Sequence, residues 1–345
     1  MTGEDCSLWP VSGDAAGILA LLREWDAADA PRPLVIETSG STGQPKRVLL
    51  SRAAMRASAL ATQERLGGPG QWVLNLPPTY VAGVQVLYRS VVAGTEPVVL
   101  GDRDDYESAW RRMSAERRYL SLVPTQLVRE LDDGFRASGL ARYTTILVGG
   151  GPLAPEVRAE AELMGITIVQ TYGMSETCGG CVYDGLPLAG VEARIDEGQV
   201  LLRGPVLFDG YDGDPERTAA AFVDGWLVTN DLGHWAPDGR LRIDGRVDDV
   251  IISGGVKVPA AVVVAAVEQH PDVSEAQVLG VPDLEWGERV VAFVVSAEPV
   301  ALDDLRDLVS PRTWAPRQVL RIPEIPLLPN GKPDRVLLRQ WADDD

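Results

Sequence analysis

Cationic side chains are scarce in this chain of 345 residues, with 32 Lys and Arg against 50 Asp and Glu and a net charge of −18 at pH 7. That balance opposes non-specific binding to nucleic acid or to anionic membranes, so any polyanionic ligand must find a locally positive site. Cysteine is nearly absent too, and three residues, an odd number, argue against a disulfide framework. The two histidines, His234 and His270, come without a nucleophile motif such as Gly-x-Ser-x-Gly, so no catalytic dyad is expected from them. No apolar run approaches the roughly 18 residues that a membrane-spanning helix requires. The N-terminus has neither a basic start nor an apolar signal core. A soluble, cytoplasmic protein is expected, with no membrane or nucleic-acid partner.

What is present begins with Thr38-Ser39-Gly40-Ser41-Thr42-Gly43-Gln44-Pro45-Lys46. Glycines let successive backbone N–H groups converge on an anion, hydroxyls add short donors, and a lysine adds a mobile positive charge. The run suits a polyphosphate. It follows the apolar stretch Leu34-Val35-Ile36 and precedes Val48-Leu49-Leu50, which predicts a loop between two strands, then a helix capped by Ser51 and running to about Leu66. A Walker P-loop needs Gly-Lys-Ser/Thr opening a helix; here Pro45 parts the last glycine from Lys46 and no Ser or Thr follows. A polar surface turn has a similar composition, so the run by itself leaves both readings open.

Length and a 45% hydrophobic content allow two domains with substantial cores. Up to about residue 170, apolar runs alternate with helical patterns near 83–93, 104–116, 125–131 and 155–164, which predicts α/β structure with a largely parallel sheet. Short strands broken by Gly, Asp and Pro predict a β-rich subdomain over 187–245. Beyond it, a helix at 259–269, strands at 276–281 and 289–296, and a helix at 302–309 predict a compact α+β module.

Further motifs follow the hydroxyl-rich run in order: Gly149-Gly150-Gly151-Pro152, Thr171-Tyr172-Gly173-Met174-Ser175-Glu176-Thr177, Thr229-Asn230-Asp231-Leu232-Gly233, Gly245-Arg246-Val247-Asp248-Asp249-Val250-Ile251 and Pro329-Asn330-Gly331-Lys332. Each is weak alone, because acids and turn glycines usually hold no ligand. Together, over nearly the whole chain, they resemble the adenylate-forming acyl-CoA ligase superfamily. The resemblance implies a large N-terminal AMP-binding domain over 1–245, trimmed at its N-terminus, a hinge at 246–248, and a small mobile α+β domain over 249–345. It implies ATP, Mg2+ and coenzyme A as cofactors and cosubstrates and a small-molecule carboxylic acid as partner.

The same resemblance assigns roles by position. Thr38, Ser39, Gly40, Ser41, Thr42, Gly43 and Lys46 would hold the β- and γ-phosphates. Glu176 would help hold Mg2+, and Thr171 and Ser175 would lie near the α-phosphate. Gly149, Gly150 and Gly151 would pass by the adenine, with Tyr172 and Gly173 on its other side. Asp231 would accept both ribose hydroxyls, with Arg246 beside it. Lys332 would bridge the substrate carboxylate and ATP in the first half-reaction. After rotation about Asp248, the loop Ser253-Gly254-Gly255 would replace it beside the pantetheine channel, where Lys257 would reach a coenzyme A phosphate or stay solvated. Tyr80, Gly83, Met174 and Gly179 would border the acyl pocket.

The stretch Glu176-Thr177-Cys178-Gly179-Gly180-Cys181-Val182-Tyr183-Asp184-Gly185 and the short length resemble the actinobacterial 2-succinylbenzoate CoA ligases of menaquinone synthesis. A second carboxylate on such a substrate would want a cation or several donors, with Arg89 among the candidates. A homodimer covering surface left by the trimmed N-terminus is expected. Two positions depart from the family: Tyr80 stands where many relatives carry histidine, and Asn230 stands within the usual Thr-Gly-Asp, where its tolerance of positive φ is expected to keep the turn. The first keeps open a ligase or carrier-loading enzyme for another aryl or acyl acid. A silent adenylate binder is the third reading, against which Lys332, Glu176 and Asp231 stand together. Cys178-Gly179-Gly180-Cys181 lacks a second ligand pair for zinc and is read as pocket lining.

Overall fold

The computed structural model describes residues 9–38, 46–101, 104–328 and 333–344. Its contacts divide into two compact units, Met1–Arg194 with Leu201–Val228 and Ile195–Val200 with Thr229–Asp345.

In the first unit seven strands lie in the order Leu186–Pro187, Gly179–Tyr183, Ile168–Met174, Thr145–Gly149, Arg118–Leu122, Gln71–Leu74 and Val98–Val99. From Ile168–Met174 onward they run parallel, and Gly179–Tyr183 turns back antiparallel. The largely parallel sheet is thus found, and its strands show why: Gln71–Leu74 is buried at every position, as covering on both faces demands. The expected helices occur as Val81–Ala93, Tyr106–Arg112, Pro124–Leu131 and Pro155–Leu163. The second is shorter than the pattern predicts because Asp105 caps it, accepting from Ser108 N at 2.7 Å, and Met113 returns to extended backbone. Two further helices of the first unit are not expected from the sequence: Ala15–Ala27, capped by Asp14, and Gly134–Leu140, which is short, begins with glycine and is capped by Asp133.

A second sheet carries the hydroxyl-rich run. Leu34–Thr38 and Lys46–Leu50 pair antiparallel with Thr38 opposite Lys46, so the run does join two strands. Its tip, Ser39, Gly40, Ser41, Thr42 and Gly43 included, lies outside the described residues. Ser51 caps the Arg52–Arg65 helix as expected, accepting from Ala54 N at 3.3 Å.

In the second unit Val273–Asp283 and Gly287–Ser296 form a long antiparallel pair, flanked by Val250–Ser253 and Gln318–Arg321. Alternate residues feed opposite faces. Val278, Ala292 and Val294 join Val258, Val263 and Val267 in one core, while Leu279, Val281, Val291 and Phe293 meet Leu338 in another. The predicted helices over 259–269 and 302–309 appear as Ala260–Val267 and Leu302–Leu308. Arg335–Asp344 is an additional helix.

The stretch over 187–245 is rich in short strands, with one helix at Pro215–Ala220. The turn expected at Asn230 is absent. Thr229, Asn230 and Asp231 lie inside the strand Trp226–Trp235, Asn230 has no positive φ, and pairing of Asp231 with Arg246 draws the segment into the ladder. Among the described residues no helix is long and apolar enough to cross a membrane.

Phe293 is fully buried between the long strand pair and the Arg335–Asp344 helix. Phe293→Ala should remove about 3–5 kcal/mol from unfolding of the second unit. Urea denaturation followed by circular dichroism measures it, and a loss below about 1 kcal/mol would contradict this core.

Candidate active site

The first unit brings Gly149 and the segment that starts at Thr171 onto adjoining strand ends. Gly149 closes the Thr145–Gly149 strand directly beside Thr171. A Cβ on Gly149 would stand 2.3 Å from Thr171 Oγ1, so only glycine fits there. Gly150 takes φ +84°, which glycine adopts without strain, whereas Gly151 would meet only ordinary contacts with Pro124. Tyr172 and Gly173 follow Thr171 in the Ile168–Met174 strand, where the register with Gly179–Tyr183 shifts. The shift presses the Gly179 carbonyl against Gly173, leaving 2.1 Å for a Cβ.

Met174 ends that strand and Ser175–Thr177 makes one 3-10 turn. Thr177, fully buried, ties the turn down: its hydroxyl accepts from Met174 N at 2.9 Å and reaches Gly179 O at 2.7 Å. Glu176 projects from this turn. Its Oε1 accepts from the Tyr211 hydroxyl at 2.8 Å, and its carbonyl accepts from Phe208 N at 2.9 Å. Burial first, then the Glu176 charge and hydrogen bond, hold the Tyr211 phenol well above its ordinary pKa, so it stays a neutral donor. Lys46 Nζ lies 5.7 Å from the Tyr211 ring centroid. One tyrosine therefore stands between a carboxylate and an ammonium.

This arrangement fits a magnesium–polyphosphate pair. A carboxylate held through one oxygen by a neutral donor retains acceptor capacity for a hard cation. Among the described residues no group of three or more His, Cys, Asp or Glu gathers around a metal. Mg2+ arriving with a nucleotide takes most of its ligands from phosphate and water.

Tyr80 is the N-cap residue of the Val81–Ala93 helix and is partly buried. Gly83 is buried under the preceding turn, where a Cβ would fall 2.2 Å from the Pro77 carbonyl oxygen. Gly179, at φ +89°, borders Gln85. Cys178 and Cys181 are free thiols, both fully buried. Burial pushes both pKa values up, that of Cys181 to about 12 against an opposing hydrogen bond from Thr177.

The second unit pairs Asp231 with Arg246 across two strands, their charged atoms 3.8 Å apart and Asp231 buried. Asp231 is presented from a strand and not from the expected turn. Thr229, also buried, receives Asp231 N at 3.1 Å and donates to Val200 O at 2.8 Å. Asp248 lies in the turn Val247–Asp249, and Asp249 grips Arg335 through both carboxylate oxygens. Ser253, Gly254 and Gly255 form a tight hairpin turn with both glycines at positive φ. A Cβ on Gly254 would meet Trp286 at 2.8 Å, and Arg317 stacks on that ring at 3.3 Å. Lys257 is exposed. Lys332 lies outside the described residues.

Sequence reasoning missed Tyr211, which is 35 positions from Glu176 and in no motif. It also missed Gln85, Trp286 and Arg317. One signal was available: the chain has only three lysines, Lys46, Lys257 and Lys332, and all fall in motif segments.

Residues 33–212 match the family model for AMP-binding enzymes, and residues 257–332 match that for the AMP-binding enzyme C-terminal domain. A probable 2-succinylbenzoate–CoA ligase from Mycobacterium tuberculosis is 40% identical, over 99% of this chain and 92% of its own length. The o-succinylbenzoate CoA synthetase of Bacillus subtilis, solved with its acyl-adenylate intermediate, superposes with a TM-score of 0.76 at 29% identity, covering 89% of this chain and 68% of that one. An amide bond synthetase from Marinactinospora thermotolerans gives 0.76 at 31% identity, with 89% and 69% covered.

The buried thiols supply a test. At pH 8 Cys178 and Cys181 should resist an aromatic disulfide reagent in the native protein and react once it is denatured. Peptide mapping after labelling decides, and rapid native labelling of either residue would refute the packing described.

Proposed function

This chain belongs to the AMP-binding enzyme family, and from that membership we propose that it activates 2-succinylbenzoate with ATP and transfers the acyl group to coenzyme A. The observation that carries the reading is the Glu176, Tyr211 and Lys46 arrangement beside the Gly149–Thr171 contact, which suits a metal-bound polyphosphate. The choice of acid rests on the names of the M. tuberculosis and B. subtilis relatives.

In the first half-reaction a carboxylate oxygen of the acid bonds to the α-phosphorus while the bond to the bridging oxygen breaks and pyrophosphate leaves. Charge therefore has to be neutralised on nucleophile and leaving group at once. Lys46 and the hydroxyl-rich run with Thr38 serve the β- and γ-phosphates, and Thr171 and Ser175 serve the α-phosphate. Glu176 would hold Mg2+, which would supply electrostatic relief to the phosphate oxygens. The adenine lies along Gly149, Gly150 and Gly151 with Tyr172, and the ribose lies on Asp231, whose charge Arg246 balances. Lys332 stabilises charge as the adenylate forms.

In the second half-reaction the coenzyme A sulfur attacks the acyl carbon, AMP departs, and the thiol proton passes to solvent. The Ser253-Gly254-Gly255 turn borders the thiol's approach, and Asp248 is the hinge between the two steps. The proposal extends to a cytoplasmic homodimer, whose sedimentation would correspond to twice the 37.2 kDa of one chain.

The test is AMP release with 2-succinylbenzoate against a panel of benzoates, amino acids and fatty acids, each with and without coenzyme A. Only 2-succinylbenzoate should give rapid AMP with a thioester product; another acid winning would overturn the substrate. Lys332→Ala should slow adenylation about 100-fold or more while ATP binding changes little. Equal loss of both would remove Lys332 from the chemistry.

A further inference from the structure

The short helix Pro215–Ala220 is locked to the strand Gly210–Tyr211, which itself pairs with Lys46–Leu50. Tyr211 N donates to Thr218 Oγ1 at 2.8 Å, and a Cβ on Gly210 would stand 2.7 Å from Thr218 Cγ2. Asp214 caps the helix by accepting from Arg217 N at 2.9 Å. Phe208 meets the Tyr211 ring edge-on, 4.9 Å between centroids, and stacks on Phe222, so the ring is fixed as well. Held in this way, the Arg217 guanidinium carbon lies 5.0 Å from the Tyr211 ring centroid, from which Lys46 Nζ lies 5.7 Å. The hydroxyl of that ring holds Glu176.

Arg217 is half-buried, and among the described residues no carboxylate forms an ion pair with it. Its neighbour on the Lys46–Leu50 strand differs: Arg47 Nη1 lies 2.5 Å from Asp212 Oδ2 and is neutralised. Asp214 spends an oxygen on the backbone of Arg217 and makes no ion pair with the guanidinium. In a chain of net charge −18, a cation left without an acid stands out. Two cations gathered at one ring repel each other, and the ring faces offset only part of that cost. Relief comes from an anion with oxygens on more than one centre. A polyphosphate is such an anion, since a guanidinium fork takes two oxygens of one phosphate while an ammonium meets another.

We propose that Arg217 is a second cation of the polyphosphate site and, together with Lys46, holds the terminal phosphates of ATP and then the pyrophosphate that leaves. The proposal rests on the reading that the first unit takes ATP beside Glu176, and it holds whichever acid is activated. Charge grows on the pyrophosphate as its bond to the α-phosphorus breaks, and a guanidinium fixed beforehand meets that charge without reorganising. AMP has no terminal phosphates, so Arg217 separates ATP and pyrophosphate from AMP.

The experiment is calorimetric titration of the full chain with ATP, with pyrophosphate and with AMP, each in the presence of Mg2+. Arg217→Gln should weaken ATP and pyrophosphate by about tenfold each and AMP by less than about twofold. Arg217→Lys keeps the charge but not the fork and should lose about threefold on the same two ligands, which carries the comparison if the glutamine variant does not fold. Unchanged binding of ATP and pyrophosphate in both variants overturns the Arg217 assignment and leaves the reading of an ATP site in place. An equal loss on ATP, pyrophosphate and AMP also overturns it and makes Arg217 a packing residue for Tyr211. A wild type that binds neither ATP nor AMP sinks the ATP reading and this assignment with it.

Discussion

With a net charge of −18, the chain must concentrate its few cations wherever a polyphosphate is to lie, and the rest of the proposed site follows from that electrostatic constraint. Its lysines are spent on motif segments alone. Lys46 stands at the mouth of a hairpin, against the ring of Tyr211, whose hydroxyl in turn fixes Glu176. The cation that would attract the phosphates and the acid that would bind their metal thus both contact one tyrosine, the first at its ring and the second at its hydroxyl. Arginines serve mainly as structural ties: Arg47 to Asp212, Arg158 to Asp184 and Arg335 to Asp249. Arg89 departs from this rule, being buried without an acid partner among the described residues.

Backbone proximity is the second constraint. Strand ends can gather around a nucleotide only where side chains are missing at chosen points. At Gly149 the neighbour is the Thr171 hydroxyl, and at Gly173 it is the Gly179 carbonyl across a register shift. Both contacts are closer than any Cβ permits, so those glycines are demanded by packing before any ligand enters. The same holds for Gly83 under Pro77 and for Gly254 against Trp286. Glycines in such motifs therefore carry two kinds of information, about ligand approach and about chain crossing, and sequence alone does not separate them.

The buried Cys178 and Cys181 show how spacing misleads. Cys-x-x-Cys suggests metal or redox chemistry, yet Cys178, in left-handed backbone just before the Gly179–Tyr183 strand, and Cys181 within it are both fully buried, and desolvation keeps them protonated. The Cys178 carbonyl accepts from Gln85 and so orients it.

The sequence by itself determined the α/β class, the hairpin around the hydroxyl-rich run, the Ser51 cap and the order of the motifs, because these depend on neighbours within a few residues and on period-2 or period-3.6 patterning. The family followed from a resemblance, carried by the motifs and their order along the chain. Only the tertiary structure decided that Asp231 is presented from a strand, since pairing with Arg246 overrides the turn preference of Asn230. It alone placed Tyr211 on Glu176 and Tyr183 on Arg89, contacts spanning 35 and 94 positions. Such contacts leave no local signal: a hydroxyl in a distant segment becomes a partner only when separate strands and helices pack together.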